Sequence, residues 1–393
     1  VAEVTEADLP AAIRGFALAG FDVTTEIPVR AQLLRVRNDE HVLVLMVHHI
    51  AADGWSFAPL SRDLMLAYAA HSGGHELQWT PLPVQYADYT LWQHELLGDE
   101  DDPDSRAARQ LAYWGTALAG LRDSLDLPTD RPRPTVASKH GATLSWEISA
   151  ELHERLLNLA RTQNATLFMV AHSALSVLLS RLSATTDIAI GTPVAGRGDR
   201  DLDDLVGMFV NTLVLRAQLD PASSFTELLQ QVRDVDLSAF AHTDVPFERL
   251  VEHLNPTRTA AHHPLFQVAL FFQNHAPTHL ELPGLSVSSQ PILPDVAAFD
   301  LQLVLTDTHA ADGRPGPSPP NSTTPPTCST RARSARSARS SSGSSRPSQL
   351  HRRRRSATSR SRTPPHASAN CPDGTPPTTT SPSPPCRICS TRR

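Results

Sequence analysis

The composition of this chain breaks near Gly316, and the break decides which part of it can fold. Over residues 317–393 Ser, Thr, Pro and Arg dominate, while Trp, Phe, Tyr and Val are absent for 77 residues. Such a segment cannot bury enough apolar surface to offset the entropy lost on ordering, so it is predicted to be disordered. It is also basic, with 14 Arg against one acid, Asp373, whereas residues 1–316 hold 40 of the 41 acids and 21 of the 35 bases. All four cysteines (Cys328, Cys371, Cys386, Cys389) lie in this tail. The first 316 residues therefore contain no thiol for a disulfide, a metal site or a nucleophile, and cysteine chemistry is excluded from any mechanism they carry.

Within residues 1–316 the pattern is mixed α and β, without a repeat. His41–Val47 is a continuous apolar run, as expected of a strand buried on both faces, and it delivers His48 and His49 at its end. Trp55-Ser56 then supplies an N-cap candidate for a helix in which Phe57, Leu60, Leu64, Ala67 and Tyr68 recur at helical spacing up to the Gly73-Gly74 stop. From Pro81 to Pro134, Pro, Asp and Arg clusters around a short amphipathic segment near Leu111–Leu121 suit a connector between two lobes. A second lobe follows. It has predicted helices around 152–159, 167–182 and 225–240, and strands over 187–190, 208–215 and 266–272.

The sharpest local feature is His48-His49-Ile-Ala-Ala-Asp53-Gly54-Trp55-Ser56. Successive residues of a strand point to opposite faces, so only one of the two histidines can face a given cavity. Imidazole titrates near neutrality without tuning and can orient or deprotonate an amine nucleophile. Gly54 permits close backbone approach, where an amide N–H would meet the oxygen of a tetrahedral intermediate, and Asp53 would fix the loop through an Arg. Two adjacent histidines alone are more often packing or surface residues than catalysts. The surrounding segments change the reading.

His48-His49-x-x-x-Asp53-Gly54 matches the HHxxxDG signature of the condensation domains of nonribosomal peptide synthetases. Other segments that resemble the family follow in order: Tyr86–Gln93, Asp187–Arg197, Val206–Leu213, His242–Glu248 and His263–Gln267. The resemblance covers about residues 20–312. It implies an α+β fold of two chloramphenicol-acetyltransferase-like lobes forming a V with a tunnel between them, here lobes 1–130 (with linker) and 131–316, before the tail 317–393. Upstream and downstream peptidyl carrier proteins would deliver phosphopantetheine-linked donor and acceptor to opposite ends, beside an adenylation domain. No cofactor or metal is expected on the chain itself. By this resemblance His49 orients or deprotonates the acceptor amine, His48 and Asp53 are structural, Asp53 pairs with Arg197, and Gly54 sets its amide near the developing oxyanion. Trp55 and Asn211 would lie near the tunnel, with turn and strand packing the competing role for Asp53, Arg197 and Asn211. Ala51-Ala52 and the wording of Tyr86–Gln93 look more like domains taking a D-configured donor and an L-configured acceptor. Segments 191–197 and 242–248 look like condensation rather than epimerization domains, and a cyclization domain would carry Asp in place of His48. A stand-alone acyltransferase of the same superfamily and an inactive remnant are the alternatives.

Two departures from the family stand out. Only 47 residues precede His48, so the start is expected to be truncated, with the opening strand and helices of the first lobe missing. After Val304–Asp307 the tail replaces the closing elements. Read one base out of frame, Pro320–Thr330 permits Glu-Phe-Asp-Tyr-Ala-Thr-Asp-Leu-Phe-Asp, like the family's closing strand, and Pro385–Arg393 permits a sequence like the start of an adenylation domain. A one-base frameshift near Gly313–Pro319 is therefore expected, in a GC-rich gene that also uses 34 Arg against one Lys, Lys139. On this reading the Arg352–Arg355 run binds nucleic acid only by nonspecific charge. The Cys386-x-x-Cys389 pair supplies only two of a zinc site's four ligands. No apolar run approaches the ~20 residues needed to span a bilayer, and the chain is expected to be soluble and cytoplasmic.

Overall fold

A computed structural model describes residues 1–273, 282–288 and 296–307, together with the backbone of 321–324. The chain divides into two compact units, Val1–Pro347 and Ser348–Arg393. The second unit lies outside the described residues, as do all four cysteines, the Arg352–Arg355 run and the proposed frameshift point.

The first lobe holds β1 (Ala2–Glu3), α1 (Leu9–Leu18), β2 (Val29–Arg37), β3 (Glu40–Val47), α2 (Phe57–Gly73) and α3 (Tyr86–Leu97). Its sheet runs β1-β2-β3, with β1 parallel to β2 and β2 antiparallel to β3. The β2–β3 hairpin turns at Asn38-Asp39, two residues that tolerate the tight geometry, and registers Val29 with Val47. β3 is an edge strand, not one buried on both faces as its apolar run suggested. Val44 is 6% exposed and its neighbour Leu43 47%. α2 ends where expected, at Gly74 with φ 64°, which Gly adopts without a Cβ penalty.

The second lobe comprises α4 (Arg106–Ala117), β4 (Ala142–Ser145), α5 (Ala150–Thr162), α6 (Leu167–Ser183), β5 (Asp187–Val194), β6 (Asn211–Gln218), α7 (Phe225–Phe240), α8 (Phe247–Leu254), β7 (Val268–Gln273), β8 (Leu301–Thr306) and β9 (Asn321–Thr324). They build a six-stranded mixed sheet, β4-β9-β8-β7-β5-β6. Helix starts are fixed by side chains that accept first-turn N–H groups: Ser149 for α5, Thr166 for α6, and Ser224 with Glu227 as a capping box for α7. The core lies between α6 and the sheet, where Leu179, Ile188, Ile190, Val268 and Leu270 are fully buried. Each such side chain contributes roughly 1.5–3 kcal/mol by leaving water.

Three sequence expectations need correction here. The segment near Leu111–Leu121, read as connector, belongs to the second lobe: Trp114 and Leu118 pack with Leu213, Leu215, Leu250 and Phe266. Met208–Val210, expected to be strand, precede β6 and cross to the histidine turn instead. The tail expected to be disordered includes one strand, β9, paired with β4 and β8. No single described helix is long and apolar enough to cross a membrane.

Candidate active site

The histidine turn begins where β3 ends. His48 N–H donates to the Pro28 carbonyl (2.9 Å), and Ala51 N–H returns to the His48 carbonyl (2.9 Å). Within this turn the two imidazoles differ in exposure. His48 is partly buried, its ring edge-on to Phe21 with centroids 5.9 Å apart, and its Nδ1 accepts from Ile50 N–H (3.1 Å). That donor is a backbone amide, so neutral His48 carries its proton on Nε2. His49 is exposed on the other side. One imidazole holds the turn and the other faces out.

Asp53 is the hinge of the turn. Its extended backbone (φ −113°, ψ −176°) caps the short 3-10 turn Gly54–Ser56, which leads directly into α2. The carboxylate is 2% exposed and fully bonded: Oδ1 accepts from Ser56 N–H (2.9 Å), Ser56 Oγ (2.8 Å) and Arg197 Nη2 (3.2 Å), and Oδ2 accepts from Phe209 N–H (3.1 Å). Arg197 also donates to the Leu202 and Leu205 carbonyls and lies 4.1 Å above the Phe209 ring. The expected Asp53–Arg197 pair is thus present. Both side chains are shielded, at 0% and 4% exposure, and Arg197 Nε is left without a hydrogen-bond partner among the described residues.

Ser56 was expected to cap α2. It occupies that position, but its hydroxyl makes no cap hydrogen bond to the helix. Fully buried, Oγ shares its proton between Asp53 Oδ1 and the Gly207 carbonyl (2.9 Å) and accepts from Gly207 N–H and Arg197 Nη2 (both 3.1 Å). Residue 207 must be Gly, because a Cβ there would sit 2.3 Å from the Tyr86 ring. Tyr86 in turn donates from its hydroxyl to the Met208 carbonyl (2.6 Å), and burial followed by the Asp53 charge pushes its phenol pKa up. Gly196 is required twice, by φ 64° and by a Cβ position 1.9 Å from the Phe209 carbonyl oxygen. Ser56, read from the sequence only as a cap, and Gly207, given no role there, join the first-lobe turn to the second-lobe segment 196–209.

Gly54 behaves differently. It is exposed, its φ is ordinary, and a Cβ would meet nothing within 4 Å. Neither backbone conformation nor packing within the chain demands glycine there. It opens the 3-10 turn, whose first N–H groups have no partner inside the turn. Trp55 follows it, half-buried.

Asn211 stands apart from this group. Its Nδ2 donates to the Thr243 and Val245 carbonyls (2.8 Å each), and its Oδ1 accepts from Phe247 N–H (3.0 Å) and Thr212 N–H (2.7 Å). Two donors and two acceptors are the full capacity of an amide, so Asn211 fastens the loop before α8 and has nothing left to offer a substrate. Of its two expected roles, strand and loop packing is the one the structure displays.

Comparison with known proteins identifies the arrangement. The family model described as "Condensation domain" matches residues 1–311. A "Probable non-canonical nonribosomal peptide synthetase" of Salinispora arenicola is 55% identical over 315 residues, covering 80% of this chain and 4% of that protein. A dimodular nonribosomal peptide synthase of Bacillus subtilis is 50% identical over 315 residues, covering 80% and 13%. The chain therefore spans only a small part of these relatives' length. Among solved structures, the X-domain from teicoplanin biosynthesis superposes with a TM-score of 0.82 at 31% identity, covering 88% of this chain and 77% of that one. With the HHxxxDG turn in place and the family model matched over residues 1–311, this chain belongs to the condensation-domain family of nonribosomal peptide synthetases.

Proposed function

We propose that the domain forms a peptide bond between an aminoacyl or peptidyl thioester and an aminoacyl acceptor, both held on phosphopantetheine arms of carrier proteins. One observation carries this reading: of two adjacent imidazoles, His48 is spent on the turn, while His49 is left exposed on a turn that a buried Asp53–Arg197 pair anchors and that also exposes Gly54. His49 orients the acceptor amine and takes its proton as the nitrogen attacks the donor carbonyl. Charge builds on that oxygen, and the Gly54 N–H is the donor within the motif best placed to meet it. That attack forms the C–N bond; collapse of the tetrahedral intermediate restores the carbonyl and breaks the C–S bond, and the proton taken by His49 passes to the departing thiolate of the upstream carrier. Asp53, Arg197 and Ser56 act by holding the turn. An adjacent adenylation domain supplies the activated amino acid to the downstream carrier.

The test separates this from a stand-alone acyltransferase. With one loaded donor carrier, the acceptor is offered either as an aminoacyl carrier protein or as the free amino acid at equal concentration. Transfer confined to the carrier-bound acceptor supports the reading. Equal or faster transfer to the free amine contradicts it and makes the domain an acyltransferase with a diffusible acceptor.

A further inference from the structure

β9 is an interior strand with the wrong sequence for its place. It lies between β4 and β8, and its position 322 pairs with Leu144 on one side and Leu303 on the other. Paired residues share a face of the sheet, and Leu303 is 7% exposed, so this slot calls for apolar residues at every second position. The resident segment is Asn321-Ser-Thr-Thr324, with no apolar side chain at all. Beside the slot is an apolar pocket of about 50 Å³ walled by Trp146, Leu156, Val170, Phe272, Leu303 and Leu305. Protein interiors seldom leave a void much larger than a water molecule. Trp146 Nε1, in that wall, is buried without a hydrogen-bond partner among the described residues. Strand, pocket and orphan donor all point to missing chain.

The genetic code says what that chain is. Read one base out of frame, each codon takes the last base of one triplet and the first two of the next. Any residue before a TCN serine then reads NTC, which encodes only Phe, Leu, Ile or Val. The 321/322 junction is narrower still, because an Asn codon ends in T or C: it must read Phe or Leu. The 323/324 junction reads NAC, which permits Tyr, and so an aromatic two positions on, among His, Asn and Asp. The 327/328 junction, Thr before Cys, reads NTG and must encode Leu, Met or Val, and 328/329 again reads Phe or Leu. Further on, Ser334, Ser337, Ser341, Ser344 and Ser348 set NTC codons at spacings of three and four residues, provided that the intervening Ser340, Ser342 and Ser345 are AGY and so read NAG. That is the apolar stripe of an amphipathic helix.

We infer that the slot between β4 and β8, and the apolar pocket beside it, are built to receive a strand and an amphipathic helix that the gene encodes in the frame one base out of step with this tail. The strand supplies the period-two apolar residues that β9 lacks, and the helix lays its stripe against the pocket wall. The inference is independent of the reaction proposed above.

Two measurements test it. In the coding DNA, Ser322, Ser329, Ser334, Ser337, Ser341, Ser344 and Ser348 should be TCN, and the second frame should stay open to the final codon. An AGY serine at 322 or 329, which reads TAG or CAG, overturns the inference, as does any stop. The present full chain is then compared with one whose frame is restored between Gly313 and Pro319, using a restored chain with scrambled order after that point as control. Restoration should abolish most binding of anilinonaphthalene sulfonate, a reporter of exposed apolar surface, and slow amide exchange in β4 and β8 by at least tenfold, while the scramble does neither. Unchanged dye binding and exchange, or a restored chain that fails to fold where the present one folds, overturns it.

Discussion

Replacing Asp53 by Ala removes the acceptor for four hydrogen bonds at once and leaves the Arg197 guanidinium, 4% exposed, with two carbonyls, Ser56 Oγ and the face of Phe209. Breaking a buried pair by deleting one member costs roughly 3–5 kcal/mol, because the survivor is a buried charge without its counter-charge. Against a domain stability of roughly 5–15 kcal/mol this is a large fraction of the total. The Arg197→Met variant should be comparably unstable, since it strands the Asp53 carboxylate. The double variant removes both charges and should lose about 1–3 kcal/mol less than the two single losses added together. Urea unfolding followed by tryptophan fluorescence reads all four corners of the cycle, and the urea dependence should keep its slope, so that midpoints report stability. Hydrogen exchange at Phe209 N–H, which donates to Asp53 Oδ2, should accelerate in Asp53→Ala. A loss under about 1 kcal/mol for either single variant, or simple additivity within about 0.5 kcal/mol, would refute the claim that this pair locks the histidine turn to the second lobe.

Two glycines should separate stability from chemistry. In Gly191→Ala the new Cβ would sit 2.1 Å from the Phe266 ring, itself 1% exposed and unable to retreat, so the loss should reach about 1–3 kcal/mol or more on thermal unfolding. Gly54→Ala meets nothing and should change stability by no more than about 0.5 kcal/mol while lowering condensation turnover. Asn211→Ala strips three hydrogen bonds from the Thr243–Phe247 loop, two donated and one accepted, and should destabilise by about 2–4 kcal/mol, with faster amide exchange at Phe247. Burial among Phe247, Phe266 and Phe299 lowers the pKa of His263 below its ordinary 6.5. The unfolded chain then binds the proton more readily, so stability is full above pH 6.5 and falls with pH from there down to the folded value. A His263→Gln chain should lose that part of the pH dependence in urea titrations from pH 8 to 4.

Long periodic elements were legible from the sequence because they answer to local rules. α7 runs over Phe225–Phe240 as read, and α5 and α6 begin at Ser and Thr caps. β3 was misread because a strand at the edge of a small sheet can carry apolar residues on a face with no protein cover, and periodicity does not say how many neighbours a strand has. Trp114 was lost in a stretch of Pro, Asp and Arg for a related reason: its burial depends on β6 and α8, which lie about one hundred residues away in the chain. The segments recognised by family resemblance turn out to be cross-chain fasteners as much as active-site walls. Asn211 holds the loop before α8, and Arg197 holds the histidine turn. Gln267 accepts from Leu125 N–H (2.7 Å) and donates to the Asp123 and His263 carbonyls, tying the stretch before β7 to the end of α4's connector. No spacing in the sequence announces such partners. Ser56 was visible as a residue and mistaken in role, since a serine before a helix reads as a cap until the backbone of Gly207 is seen beside it.

On the proposed function His49, and not His48, meets the acceptor amine. The direct measurement is single-turnover formation of dipeptidyl carrier protein by mass spectrometry, using chemically loaded donor and acceptor carriers with the wild-type domain, His49→Ala and His48→Gln, each checked for folding by circular dichroism. His49→Ala should keep its fold and lose at least one hundredfold in rate, whereas any loss in His48→Gln should follow its loss of folded structure. A folded His49→Ala domain that condenses at the wild-type rate would contradict the proposed function.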